Sequence, residues 1–251
     1  MSDQKNGHAY TTWAATQLFF KQCPKLALQF GLGPWTFCRK LEEGQNSASR
    51  ASANPFPQPG NKWLWWIKAD APALSALPNP RLSGDVNLAL IRGELQKTLA
   101  EAYRAFHAGD REKMFKQLGA AIHSVQDSFN ETWILREQTD PSDPHAKVVA
   151  LRIFHLATAG HPGNPTASRK ERPDDCASER GTTEILVAFA THLNAPPEKA
   201  YQALREAVAP LFQGEQVQVL ADRNSPECNR RAGESSPPER CEPLASVHGN
   251  E

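Results

Sequence analysis

No apolar run in this 251-residue chain approaches the roughly eighteen residues that a membrane-crossing helix needs. A bilayer-spanning protein is therefore not expected. The opening MSDQKNGHAYTTWAATQLFFKQCPK also lacks the basic stretch, apolar core and small-residue cleavage site of a secretory leader. That points to the cytoplasm, or to secretion if a leader lies outside this sequence. Charge of neither sign is in excess, since 28 basic residues face 28 acidic ones, so no global field draws the chain to nucleic acid or to an anionic surface. Cysteine is sparse and scattered. Cys23, Cys38, Cys176, Cys228 and Cys241 are odd in number and form no Cys-x-x-Cys pair, which argues against a zinc ribbon and a disulfide scaffold alike. Strand-like alternation of useful length is missing, and so is any internal repeat.

What the chain does have is helical periodicity, and the fold class it predicts is all-α, a multi-helix bundle with long loops. A first helix over 8–22 would turn Trp13, Leu18 and Phe19 inward, and one or two shorter helices follow over 25–43. The stretch 44–83 is rich in Pro, Ser and Asn and reads as a long loop or flap carrying one apolar island, WLWWI. That island suits either a lipid-facing or substrate-stacking lip or a plug in the core. From Asp85 the residues Leu88, Leu90, Ile91, Leu95, Leu99, Tyr103 and Phe106 recur at helical spacing, with Ser83 or Asp85 able to cap the start. Gly109 ends that helix, and Asp110 with Glu112 opens the next, which runs to about Trp133. A link this short makes the two antiparallel neighbours. A helix over 145–158 and a final pair, the second with Pro in its first turn, complete a single domain over residues 1–221. The segment 222–251 has almost no large apolar residues and reads as a disordered tail.

Within HSVQDSFNETW, residues 123–133, His123, Asp127 and Glu131 follow one another at intervals of four. On a helix they form one column, and His beside a carboxylate is an ordinary zinc donor set. Chance supplies about one such His-acid pair in a chain of this composition. The apolar stripe Leu118, Ile122, Val125, Phe129 and Trp133 lies on the other side of the helix, so by periodicity alone the column reads as a solvated face. Elsewhere, His107 reads as exposed, His192 as a core or helix-end residue, and His145 as the start of its helix.

The wording around the column adds to its spacing. The segment DREKMFKQLGAAIHSVQDSFNETW resembles the central helix of the zinc-dependent phospholipase C superfamily, which includes single-strand-specific nucleases. The matching positions are Leu118, Gly119, Ile122, His123, Gln126, Asp127, Ser128 and Phe129. The resemblance implies an all-α bundle whose zinc ions, held by His and Asp, activate water against a phosphate ester in a phospholipid or a nucleic acid. His123 and Asp127 would be ligands, and Glu131 stands where relatives usually place a His. His161 or His155 would come from a downstream helix, and His8 matches an early family histidine in order along the chain. Asp127 or Glu131 would orient the attacking water. The family's second His-x-x-x-Asp/Glu has no counterpart, because Val149, Ala159, Pro165 and Pro196 stand four residues after His145, His155, His161 and His192. The resemblance therefore implies either a phosphoric ester hydrolase with fewer zinc ions, or a non-catalytic helical binding protein that keeps the fold.

Overall fold

The computed structural model describes residues 7–53, 78, 82–129, 134–137, 140, 142–152 and 176–220. These form seven helices and one small sheet. In chain order they are α1 (Gly7–Gln22), α2 (Pro24–Ala27), α3 (Pro34–Ala53), α4 (Gly84–His107), α5 (Arg111–Asp127), β1 (Ile134–Arg136), β2 (Val148–Arg152), α6 (Cys176–Thr191), α7 (Pro197–Val208) and β3 (Gln218–Leu220). Short 3-10 turns follow α2 at Leu28–Phe30 and α7 at Ala209–Phe212. The described chain is mostly helical, as the periodicities predict. None of its described helices is long and apolar enough to cross a membrane.

Local chemistry sets several boundaries. The Ser83 hydroxyl accepts from Val86 N at 3.3 Å, and the Asp110 carboxylate accepts from Lys113 N at 2.9 Å, so α4 and α5 both begin on a side-chain cap. Between them Gly109 adopts a left-handed φ of 74°, the conformation that ends a helix with little strain. Asp85 has another task. Its carboxylate accepts from Val217 N at 3.0 Å and ties the entry to β3 to the start of α4.

Other elements depart from the sequence reading. α3 does not stop at Glu43 but continues through Ala53, because Gly44 is a packing contact here and not a helix stop. α5 ends at Asp127, short of Trp133. Of the predicted helix over 145–158, the described part, 145–152, is instead a turn leading into β2, where Val148 and Ala150 are buried and Val149 points outward, and 153–158 lie outside the described residues. A short apolar run does not by itself distinguish a strand from a buried helix. β2 is the middle strand, antiparallel to β1 and parallel to β3. Phe19 is buried as expected, but Trp13 is 36% exposed and Leu18 only half-buried, and Thr11, Thr12, Ala15 and Thr16 join Phe19 on the inward face. Leu90 also faces outward. The WLWWI island and the segment 222–251 lie outside the described residues.

The core is aromatic where the helices meet. Phe37 of α3 touches Phe19 of α1 and Phe115 of α5, and Phe30 stacks on Phe189 of α6. α5 runs through the middle of this assembly, and every residue from Leu118 to Ser128 is buried. Beyond its end, the half-buried Arg136 of β1 donates to Ser128 O at 3.2 Å, Ala146 O at 2.8 Å and Leu211 O at 2.8 Å, and its guanidinium lies over the Phe129 ring. Burial pulls its pKa down to about 10. Among the described cysteines Cys23 and Cys38 are free, and burial followed by the nearby Glu42 pushes the Cys38 thiol up to about 12.

α3 and α5 form the most extensive helix pair, and glycine lets their backbones touch. A Cβ on Gly119 would stand 2.3 Å from Leu41 O and 2.8 Å from Gly44 Cα, while one on Gly44 would stand 2.7 Å from Lys116 O. Backbone cannot yield as a side-chain tip does. Gly119→Ala should therefore cost about 1–3 kcal/mol or more, a melting-temperature drop of several degrees at roughly 2–4 °C per kcal/mol. Gly93, in the exposed interior of α4 with nothing within 4 Å of its added Cβ, is the control. Gly93→Ala should raise stability by roughly 0.5–1 kcal/mol. Thermal melts followed by circular dichroism check both, and equal effects would mean that the α3–α5 contact is looser than described.

Candidate metal centre

Three side chains from two helices converge where α1 begins and α5 ends. His8 stands in the first turn of α1, on the face that carries Thr12, Ala15 and Phe19 into the core. His123 and Asp127 stand one turn apart on α5. The Asp127 carboxylate lies between the two imidazoles. Its Oδ1 is 3.2 Å from His8 Nε2 and its Oδ2 is 3.2 Å from His123 Nε2. The rings themselves lie 4.6 Å apart, tilted by 56°. One donor atom from each residue falls within 4.8 Å of the others.

This centre is enclosed. Side-chain exposure is 0% at His123 and 4% at Asp127, and only His8, at 17%, reaches solvent. The alternative of a solvated His-Asp face is therefore corrected for both residues. Periodicity assigns an outer face only to a helix that has one, and from Leu118 onward α5 is buried all round.

A layer of uncharged polar side chains backs the cluster. Gln126 Oε1 lies 2.9 Å from His8 Nδ1 and accepts from Gln45 Nε2 at 3.0 Å. Gln126 Nε2 donates to the Thr12 hydroxyl at 2.9 Å, and Gln45 Nε2 donates to the same hydroxyl at 2.9 Å. His8 Nδ1 faces an amide oxygen and its Nε2 faces a carboxylate oxygen, so each ring nitrogen confronts an acceptor. A neutral imidazole has only one N–H to offer. With Nδ1 donating to Gln126, a cation belongs between Nε2 and Asp127, and that cation is either a second proton or a metal ion. The 3.2 Å separations admit either, being within the range of an N–H···O hydrogen bond and close to the roughly 3.3 Å between donors on a tetrahedral zinc. Two imidazoles and one carboxylate are also a recognised zinc donor set.

Of the residues expected from the sequence, His8, His123 and Asp127 come together. Glu131, His155 and His161 lie outside the described residues. His145 is not at a helix start but sits in a turn, half exposed, with its Nε2 2.8 Å from Glu184. His107 is exposed with its Nε2 2.8 Å from Leu193 O, and His192 follows the end of α6. Sequence reasoning missed Thr12 and Gln45, and it treated Gln126 only as a matching position. The threonines at 11, 12 and 16 on the inward face of α1 were the available signal, because a buried hydroxyl needs a partner.

The chain matches no protein-family model, no curated protein and no solved structure.

If a metal joins α1 to α5, it must stabilise the folded state by mass action. Zinc at a hundredfold excess over its Kd should add about 2.7 kcal/mol, a rise of roughly 5–10 °C in Tm for a chain of this size. The rise should vanish in His8→Ala and Asp127→Ala. Differential scanning calorimetry with and without chelator measures it, and an unchanged wild-type Tm would count against the site.

Proposed function

We propose that this chain is a zinc-dependent phosphoric ester hydrolase in which His8, His123 and Asp127 hold the ion. The observation that carries the reading is the convergence of two imidazoles on one buried carboxylate, with both nitrogens of His8 facing acceptors. Three protein donors meet among the described residues, and three is the number with which a catalytic zinc keeps a position for water. The resemblance of the α5 segment to zinc-dependent phospholipase C and its nuclease relatives supplies the reaction class. It also suggests Glu131 and His161 as further ligands, with Asp127 or Glu131 orienting the water.

The chemistry zinc brings to such a site is Lewis acidity toward water and toward a phosphoryl oxygen. The protein's own groups set the conditions. Asp127 holds both imidazoles at its two oxygens, and α5 carries two of the three donors on one rigid element. Burial of His123 and Asp127 keeps competing water away. The partly exposed edge at His8 is the side from which a phosphate ester would approach.

A second reading is favoured by the enclosure itself. A cluster buried at 0% and 4% on α5 also suits a structural tie in a non-catalytic binding protein. Metal analysis of protein purified without added zinc, paired with turnover of bis(p-nitrophenyl) phosphate, separates the two. The hydrolase reading expects bound zinc and turnover that falls by several orders of magnitude in both His123→Ala and Asp127→Ala. Bound zinc without turnover would leave the structural tie. Iron in place of zinc would redirect the two-His, one-carboxylate set toward oxygen chemistry.

A further inference from the structure

Behind the donors, α1, α3 and α5 each contribute one side chain to a closed polar relay: Thr12, Gln45 and Gln126. Thr12 and Gln45 are buried, as is Gln126, and none of the three carries a charge. Polar groups so placed are costly unless each is satisfied, and here each is satisfied by the other two. One atom is shared outward. Gln126 Oε1, already fixed by the amide of Gln45, lies 2.9 Å from His8 Nδ1.

We infer that Gln126 is a positioning residue that selects Nε2 of His8 as the metal-binding nitrogen, and that Gln45 and Thr12 set the direction of its amide. The inference rests on the metal reading proposed above. An amide can present either oxygen or nitrogen to a neighbour. If its NH2 faced His8, Nδ1 would have to accept, the ring proton would move to Nε2, and the lone pair aimed at the centre would be lost. Flipping Gln126 alone would set its NH2 against the donating Nε2 of Gln45, so Gln126 cannot turn unless Gln45, whose two amide ends both reach the Thr12 hydroxyl, turns with it. A metal-ligating histidine characteristically gives its other N–H to an acceptor that fixes tautomer and ring orientation. Here the acceptor is an amide and not a carboxylate. It orients the ring while adding no negative charge, so the Lewis acidity of a bound ion is not reduced.

The test uses the full chain with zinc as the probe. Long-range 15N–1H correlation spectra of the zinc-loaded wild type should show His8 protonated at Nδ1 and bound through Nε2. Chelator competition should find zinc held 10–100-fold more weakly in Gln126→Leu and several-fold more weakly in Thr12→Val. Gln126→Glu separates positioning from packing. A carboxylate accepts the same Nδ1 proton, so zinc affinity should hold or rise while the metal-free protein loses stability, because two carboxylates then stand side by side. A structural role alone would make Gln126→Glu the worse binder. Should Gln126→Leu fail to fold, the wild-type spectrum and the Thr12→Val constant still decide. Wild-type affinity in Gln126→Leu, or a zinc-loaded His8 that carries its proton on Nε2, overturns this inference and leaves the metal site intact. A wild type that binds no zinc overturns both.

Discussion

At Gly44 and Gly119 the backbones of α3 and α5 meet with no side chain between them, and much of the site depends on that contact. The same crossing sets Gln45 beside Gly119, since a Cβ on Gly119 would lie 3.0 Å from Gln45 N. From there the Gln45 side chain reaches Gln126 and Thr12 together. A wider spacing between the helices would still permit an apolar core, because larger side chains could fill the gap. It would not permit Thr12, Gln45 and Gln126, from three helices, to satisfy one another. The Leu-Gly that precedes His123 is thus a packing requirement as well as part of a motif.

The far end of α5 is held differently. A helix leaves its last carbonyls unpaired, and directly after Asp127 the half-buried Arg136 donates to Ser128 O, with Ser128 Oγ also receiving an N–H from it at 3.2 Å. A cation is well placed at a helix C-terminus, where the partial charge is negative. Its other donors reach Ala146 and Leu211, so the small sheet and the turn after α7 are fastened to the same point. The sheet therefore acts as a clamp on the helix that bears two of the three donors.

What could be read from the sequence was local. The caps at Ser83 and Asp110 and the stop at Gly109 follow from backbone chemistry within a few residues, and all three stand. The spacing of His123 and Asp127 was also visible, but their burial was not, because it depends on which helices surround α5 and not on the periodicity of α5 itself. Gln45 was hidden for a related reason. Helix propensity alone ends α3 near Gly44, and only the contact with α5 carries the helix past it. β2 escaped because Val148–Arg152 is too short to show its period, and Trp13 misled because a large aromatic suggests burial although Thr12 occupies the inward position.

The cluster is divided unequally along the chain, and that division has a kinetic consequence. His123 and Asp127 meet as soon as one turn of α5 forms, whereas His8 must be brought to Gln126 across 118 residues of sequence. Contacts of long sequence separation close late, since the entropy of the intervening loop opposes them until other packing is in place. The N-terminal helix is therefore the last component to be sealed by the centre. If a cation is bound there, it would act after the rest of the bundle has assembled, and its effect would fall on the rate at which α1 detaches and hardly on the rate at which the chain collapses.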